Sequence, residues 1–230
     1  MARERAGSDI EFDHQAERVS AYLARPAAPR GPGVIAIHEA SGLVDHTRDV
    51  ADRLAREGFV ALAPDLYRGK TAATPGEAAQ LMRDLPLARA ERDLDGAVLE
   101  LLNWEATQGP RVGVVGFGMG GALALRVAAE NARLGAAANF YGDDPRFRVD
   151  LAGVKVGLLG IFAEHDESVS AETLREIRAA FESLGQQAGF RVQPDVEHGF
   201  MNDSRADVYA PEAARECWGA LLAFLRAYLA

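Results

Sequence analysis

The chain has 230 residues, of which 48% are hydrophobic and 26% are charged. With this balance, burial of apolar side chains can offset the entropy lost on folding, so the composition excludes a wholly disordered protein. The formal net charge of -9 disfavours nucleic acid as a partner, because phosphate contacts need clustered lysine and arginine.

The predicted elements alternate between strands and helices, which favours an α/β fold. Residues 1–8 are predicted to be a flexible tail, and residues 9–230 a single domain that opens with two antiparallel strands over residues 9–25. Short apolar runs then predict buried strands over residues 34–37, 59–63, 112–115, 136–140, 156–162 and 190–193. Helical patterns cover residues 45–57, 76–106, 119–132, 170–184 and 211–229, with a break or kink at Pro86. Together they predict a mostly parallel central sheet with helices on both faces.

A glycine-rich turn follows the predicted strand over residues 112–115. Gly116, Gly118 and Gly120 fit the frame of the nucleophile elbow, G-x-Nuc-x-G, which joins a strand to a helix in α/β-hydrolases. The central residue of this elbow lies on a strained turn, and the amide that follows it helps to bind an oxyanion. Here the central residue is Gly118, which has no nucleophilic side chain.

The same turn also matches the dinucleotide fingerprint G-x-G-x-x-G through Gly116, Gly118 and Gly121. Asp143 lies 22 residues beyond Gly121, close to the spacing of a ribose-binding acid. The motif lies deep in the chain rather than in the first βα unit, and the interpretation leaves the later motifs unexplained. A nucleotide-binding oxidoreductase is therefore the less favoured alternative.

An acid and a histidine follow the last two predicted strands. Asp166 comes after the strand over residues 156–162, and His198 after the strand over residues 190–193. The order of elbow, acid and histidine is that of α/β-hydrolases, and loops that follow parallel strands meet at one edge of the sheet. Taken singly, Asp166 could cap the helix over residues 170–184, His198 could be a loop histidine and Glu39 a solvated acid. Their joint order predicts a catalytic site.

A longer set of motifs resembles the dienelactone hydrolase family, from about residue 10 to the end of the chain. The motifs are His38-Glu39-Ala40-Ser41-Gly42-Leu43, the segment from Asp45 to Ala55, Pro64-Asp65-Leu66-Tyr67, Gly116-Phe117-x-Met119-Gly120-Gly121, Asp166 and His198-Gly199-Phe200. The resemblance implies an α/β-hydrolase fold and the hydrolysis of a small-molecule ester or lactone.

The resemblance also implies catalytic roles. The elbow of the family usually reads G-F-C-x-G-G, so a nucleophilic cysteine is expected at the position of Gly118. By the same resemblance, Asp166 and His198 are the acid and the base, and Glu39 matches a glutamate that contacts the nucleophile in the resting enzyme.

Further residues are implied for the oxyanion hole and the substrate pocket. The amides of Met119 and Ala40 are expected to form the oxyanion hole. The family members that cleave dienelactones clamp the substrate carboxylate with two arginines, one of them four residues after the histidine, where this chain has Asn202. The pocket residues predicted from the resemblance are Tyr141, Phe200, Arg83 and Arg205.

A glycine at the elbow is compatible with three kinds of protein. The chain is a hydrolase inactivated by design or as a sequence variant, or a pseudoenzyme that binds a small ligand, or a hydrolase that uses water. In the last case the water is activated by His198 with Asp166, or by Glu39, and such general-base catalysis contributes roughly 10²–10⁴-fold.

The sequence also predicts the location of the protein and the absence of a cofactor. The single cysteine, Cys217, fits helix packing and a reducing compartment. We expect no signal peptide and no membrane partner, since no apolar run approaches the roughly 18 residues that span a bilayer, and we expect a cytoplasmic protein. No metal or other cofactor is predicted, because none of the five histidines has the spacing of a metal motif.

Overall fold

The structure is a computed structural model that describes residues 7–229, apart from the side chain of Gln186. Within this range the strands are β1 (Gly7–His14), β2 (Glu17–Ala24), β3 (Gly31–Ile37), β4 (Val60–Pro64), β5 (Thr107–Phe117), β6 (Leu134–Phe140), β7 (Gly157–His165) and β8 (Ala188–Glu197). The α-helices are α1 (Asp45–Arg56), α2 (Pro75–Asp84), α3 (Leu87–Asn103), α4 (Met119–Glu130), α5 (Ala171–Ser183) and α6 (Pro211–Leu229).

The strands form one sheet in the order β1-β2-β4-β3-β5-β6-β7-β8. The pairs β1–β2 and β2–β4 are antiparallel, whereas the pairs β4–β3, β3–β5, β5–β6, β6–β7 and β7–β8 are parallel. One hydrophobic cluster contains side chains of α3 and α4, and a second contains side chains of α1 and α6. The predicted α/β class, with a mostly parallel sheet between two layers of helices, is confirmed.

The strands β4 and β6 are buried along their whole length, as the apolar runs predicted. Every residue of β4 and β6 is buried, because helices cover both faces of the sheet at these strands. Pro86 ends the helical pattern as predicted: α2 ends at Asp84, and Pro86 is the cap residue before α3. Proline lacks the amide that would continue the helix, so the chain restarts a new one.

The predicted tail over residues 1–8 needs a correction at its end. Residues 1–6 lie outside the described residues, but Gly7 and Ser8 already belong to β1 and pair with Ala24 and Leu23. The amide of Gly7 also donates a hydrogen bond to the hydroxyl of Tyr22, 3.0 Å away. The first residues of β1 are held by backbone pairing with β2 and show no apolar pattern. The sequence pattern therefore placed the start of the domain too late.

Among residues 7–229, none of the helices has the length and apolar content that a membrane crossing requires.

Two helical glycines give a matched prediction on stability. A Cβ at Gly121, in the first turn of α4, would lie 2.1 Å from Oδ1 of Asn139. A Cβ at Gly219 in α6 would meet no atom of the described residues within 4 Å, apart from its chain neighbours and the nearby backbone of its own helix. We expect Gly219→Ala to stabilise the chain by about 0.5–1 kcal/mol, because glycine loses more entropy in a helix than alanine. Gly121→Ala should instead destabilise it by roughly 1–3 kcal/mol through overpacking. Thermal unfolding of both variants checks this, and shifts of the same sign would contradict it.

Candidate active site

The turn between β5 and α4 is as sharp as an elbow requires. Gly118 lies between them with φ 52° and ψ -120°, a conformation that costs other residues of order 1–3 kcal/mol. A Cβ at Gly116 would lie 1.9 Å from the carbonyl oxygen of Gly120, so the strand and the helix approach closely. The amide of Gly118 donates to the carbonyl of Phe140, 2.9 Å away, which ties the turn to β6.

The acid and the histidine come together at the edge of the sheet where β7 and β8 end. Nδ1 of His198 lies 2.8 Å from Oδ2 of Asp166. The other oxygen of Asp166 accepts hydrogen bonds from the amide (2.9 Å) and the hydroxyl (2.5 Å) of Ser168. That hydroxyl also lies 3.0 Å from Nδ1 of His198. Burial raises the pKa of Asp166, but the bonds from His198 and Ser168 outweigh burial and lower it, so the carboxylate is anionic.

The other nitrogen of His198 faces the elbow. A Cβ built on Gly118 would lie 3.6 Å from Nε2 of His198, and within the part of the chain described no other atom beyond the neighbouring residues lies within 4 Å of it. The alternative role of Asp166 as a helix cap is wrong, because Ser170 caps α5 by accepting a hydrogen bond from the amide of Thr173 (3.1 Å). The imidazole is therefore held by a carboxylate on one side and directed at position 118 on the other.

Glu39 is held by two side chains from other loops. The hydroxyl of Tyr141 donates to one of its oxygens at 3.4 Å, and the amide of Asn202 donates to the other at 3.0 Å. Burial, followed by the nearby charge of Glu39, raises the pKa of Tyr141, so its hydroxyl stays a donor. The Tyr141 ring lies 4.8 Å from the ring of His198 and 5.7 Å from that of Phe200, between centroids. Glu39, Tyr141, His198 and Phe200 thus pack together in one cluster beside the elbow.

His38 supports the loop that carries Glu39, a role that was not predicted from the motifs. Its side chain is fully buried, and Nε2 accepts a hydrogen bond from the amide of Leu66 at 3.2 Å. Because Nε2 is an acceptor, the proton lies on Nδ1, which donates to the carbonyl of Glu39 at 2.7 Å. That carbonyl belongs to the same peptide unit as the amide of Ala40. His38 therefore fixes the direction of the amide predicted for the oxyanion hole.

Burial lowers the pKa of His38 against the opposing effects of the Glu39 carbonyl and of nearby carboxylates. The unfolded chain takes up a proton near the ordinary value of about 6.5, where folded His38 does not. Its contribution to stability is therefore complete above about pH 6.5 and is lost as the pH falls, by up to about 1.4 kcal/mol per pH unit. Urea unfolding across this range should show a weaker pH dependence for His38→Gln, and an unchanged dependence would contradict the assignment.

Met119 follows the elbow as the first residue of α4. The first amides of a helix have no partner inside the helix and lie at the positive end of its dipole, which suits an oxyanion. The sulfur of Met119 accepts a hydrogen bond from the hydroxyl of Tyr67 at 3.1 Å, which anchors the buried side chain. The oxyanion roles of Met119 and Ala40 stay predictions that this arrangement supports.

The two arginines predicted for the pocket differ in their surroundings. Arg205 lies near the site: NH1 is 3.6 Å from a Cβ built on Gly199, and the charge of Glu39 contributes to its raised pKa after the main effect, a hydrogen bond to Asp207. Arg83 lies on the exposed side of α2, where it donates to Gln80 at 2.6 Å. No contact in the described part of the chain links Arg83 to the elbow, so its pocket role stays a prediction.

Asp143, considered as a ribose-binding acid, is bound to an arginine of the chain. It accepts two hydrogen bonds from Arg148, at 2.9 and 2.8 Å. Among residues 7–229, the group of side chains that approaches a metal-ligand arrangement is Glu164, His165 and Asp195. These three side chains are exposed, and the group includes neither His198 nor Glu39.

The fold and the elbow define the class: an α/β-hydrolase. Residues 19–229 match the profile of the dienelactone hydrolase family. Protein usf of Aquifex pyrophilus is 35% identical, over 97% of this chain and 99% of its own length. A protein of Aquifex aeolicus (strain VF5), provisionally named carboxymethylenebutenolidase, is 33% identical over the same shares of both chains. The crystal structure of a provisionally named dienelactone hydrolase from Klebsiella pneumoniae subsp. pneumoniae MGH 78578 is 30% identical, with a TM-score of 0.86 over 96% of this chain and 98% of that one. The chain belongs to the dienelactone hydrolase family.

Proposed function

We propose that the chain hydrolyses small carboxylic esters or lactones with a water molecule in place of a nucleophilic side chain. The observation that carries this proposal is the direction of Nε2 of His198 toward position 118, with its Nδ1 bound to Asp166. Glycine at position 118 leaves the volume of a side chain beside this nitrogen. A water there would lie within reach of the base.

The chemistry follows from this geometry. Nε2 of His198 takes a proton from the water as its oxygen attacks the ester carbonyl, and Asp166 stabilises the imidazolium that forms. The amides of Ala40 and Met119 are proposed to bind the oxyanion. The proton then passes from His198 to the leaving alkoxide, which completes hydrolysis.

The charges around the site favour a neutral substrate. The donor four residues after His198 is Asn202, which is bound to Glu39 and carries no charge. Nearby Arg205 is paired with Asp207, with 2.6 Å between NH2 and Oδ2. An anionic ester would therefore meet the negative charge of Glu39, while the charge of Arg205 is already balanced. The name of the Aquifex aeolicus relative, carboxymethylenebutenolidase, points to a lactone that carries a carboxylate. We propose neutral esters or lactones for this chain.

The test is the hydrolysis of p-nitrophenyl acetate by the chain and by His198→Ala. We expect the substitution to lower the rate by roughly 10²–10⁴-fold, the usual contribution of a general base. His165→Ala is the matched control: this histidine is exposed at the end of β7 and is not part of the Asp166–His198 pair. Its removal should leave the rate unchanged. Equal rates for the chain and for His198→Ala would overturn the proposal.

A second candidate is a binding protein without turnover. The observation that favours it is Gly118 itself, since the loss of a nucleophile from such a site removes most of the catalysis. The same assay separates the two candidates. A negligible rate that is independent of His198, together with saturable binding of an unreactive ester analogue, would favour the binding protein.

A further inference from the structure

Asn139 is the polar residue of β6, a strand whose other residues are leucine, glycine, alanine and phenylalanine. Its side chain is fully buried, and a buried amide is costly unless its polar atoms are hydrogen-bonded. Both polar atoms bond to Gly142: Nδ2 donates to the carbonyl oxygen and Oδ1 accepts from the backbone amide, each at 2.8 Å. The Asn139 side chain therefore clamps the chain three residues further on, just after the strand ends.

Tyr141 lies inside this clamp and has an unusual backbone conformation. Its φ is 44°, in the left-handed region that a bulky residue adopts only where the surrounding structure imposes it. The amide of Tyr141 donates to the carbonyl of Ile161 on β7 at 2.7 Å, which fixes the start of the turn. The two bonds from Asn139 to Gly142 fix the end of the turn. Together these contacts offset the strain at Tyr141.

We infer that Asn139 is a positioning residue of the active site, which holds Tyr141 in the conformation that places its ring beside the imidazole of His198. The centroids of these two rings are 4.8 Å apart, and the Tyr141 hydroxyl donates to Glu39 at 3.4 Å. Asn139 thus acts on the base through Tyr141 rather than on the substrate. Its effect on the reaction rate rests on the proposed function, in which His198 is the base, whereas its effect on the position of Tyr141 does not.

The packing around the clamp determines how the turn moves when the clamp is lost. Toward the elbow there is no room, because a Cβ at Gly142 would lie 2.2 Å from the carbonyl oxygen of Gly118. On the other side is a cavity of about 180 Å³ between α4, α5 and the segment after β6, and its lining includes Asn139 and Gly142. We therefore expect the freed turn to relax toward this cavity, which takes Tyr141 away from His198.

The kinetic test is Asn139→Ala, which removes both bonds to Gly142 without adding bulk. We expect kcat for p-nitrophenyl acetate to fall by about tenfold or more, because a displaced base is poorly oriented in the transition state. KM should change by less than about threefold, since substrate binding does not use the orientation of the base.

Asn131→Ala is the matched control for the loss of a buried, bonded asparagine. Asn131 is also buried, and its side chain makes two hydrogen bonds, with Asp95 and with the amide of Arg133, each at 2.9 Å. It lies at the end of α4 opposite to the elbow. Its substitution should therefore leave kcat unchanged.

A double-mutant cycle separates a positioning role from a merely structural one. Glycine adopts the left-handed backbone without a Cβ cost and has no ring to place, so in the Tyr141→Gly background the clamp has no side chain to position. Tyr141→Gly should itself lower kcat. Addition of Asn139→Ala should then lower kcat by less than about twofold further, against about tenfold in the starting chain. An equal loss in both backgrounds would overturn the inference, as would no loss in either when the starting chain hydrolyses the ester.

The position of Tyr141 is measured without catalysis by fluorine NMR of the chain labelled with fluorotyrosine, and its signal is identified by its absence in Tyr141→Phe. Asn139→Ala should move this signal toward its position in the unfolded chain, while Asn131→Ala leaves it in place. An unmoved signal would overturn the inference even if the rate falls. A moved signal in a chain without any hydrolysis would support the clamp and overturn the proposed function.

A second variant keeps the test decisive if Asn139→Ala does not fold. Asn139→Asp has nearly the same shape and still accepts the bond from the amide of Gly142, but it loses the donor to the carbonyl. It should move the Tyr141 signal in the same direction by a smaller amount, and an unmoved signal in this folded variant would contradict the inference.

Discussion

Replacement of Gly118 with cysteine is expected to raise the rate of p-nitrophenyl acetate hydrolysis by at least about 100-fold, since removal of such a nucleophile costs several orders of magnitude. The new Cβ would lie 3.6 Å from Nε2 of His198, so the sulfur comes within reach of the base. The variant should also release a burst of p-nitrophenol equal to the enzyme concentration, because an acyl-enzyme forms before it is hydrolysed. The starting chain should show no burst.

Gly118→Ala is the control for this prediction. Both substitutions force a Cβ onto a backbone with φ 52°, and both should lower the free energy of unfolding by about 1–3 kcal/mol. Only the cysteine variant brings a nucleophile. The native thiol does not interfere, because burial raises the pKa of Cys217 to about 11 and keeps it protonated. A cysteine variant that is folded but no more active than the alanine variant would show that the site cannot use a nucleophile at position 118.

Asp166→Asn is expected to lower the hydrolysis rate by roughly 10²–10⁴-fold, a loss as large as that of the base itself. Oδ2 of Asp166 accepts the Nδ1 proton of His198, which leaves Nε2 free to accept a proton at the elbow. An amide in its place can donate to Nδ1, which favours the tautomer with the proton on Nε2 and removes the base. The measurement is the initial rate in the starting chain and, for a larger signal, in the Gly118→Cys background.

Ser168→Ala provides the comparison. The Ser168 hydroxyl lies 2.5 Å from Oδ1 of Asp166 and 3.0 Å from Nδ1 of His198, so its removal disturbs both partners but leaves their own contact. We expect a loss of roughly 10–100-fold, smaller than that of Asp166→Asn, in line with one hydrogen bond to a charged carboxylate. A larger loss for Ser168→Ala than for Asp166→Asn would assign the orientation of the imidazole to the serine instead.

Much of the fold follows from local patterns in the chain. Strands such as β4 and β6 are buried on both faces, and their continuous apolar runs distinguish them from helices of mixed polarity. Pro86 marks the break between α2 and α3 through a local steric effect. The start of β1 at Gly7 was not predictable, because it depends on pairing with Ala24, 17 residues away, rather than on an apolar pattern.

Those residues of the candidate site that follow from the order of the strands along the chain were predictable. Those that depend on contacts between separate loops were not. Asp166 and His198 follow successive strands of a parallel sheet, so topology alone brings their loops together. Ser168 lies where a local signal points, since an aspartate side chain commonly accepts a hydrogen bond from the backbone amide two residues on. No local signal identifies the role of His38. That role depends on the amide of Leu66, which lies in the loop after the neighbouring strand β4.

The central claim is that the imidazole of His198 is directed at position 118. The most direct test is the rate at which iodoacetamide alkylates the thiol introduced by Gly118→Cys, followed by peptide mass spectrometry with and without His198→Ala. A neighbouring imidazole stabilises the thiolate, so we predict that loss of His198 slows alkylation at position 118 by about tenfold or more near neutral pH. Equal rates in the two proteins would contradict the claim.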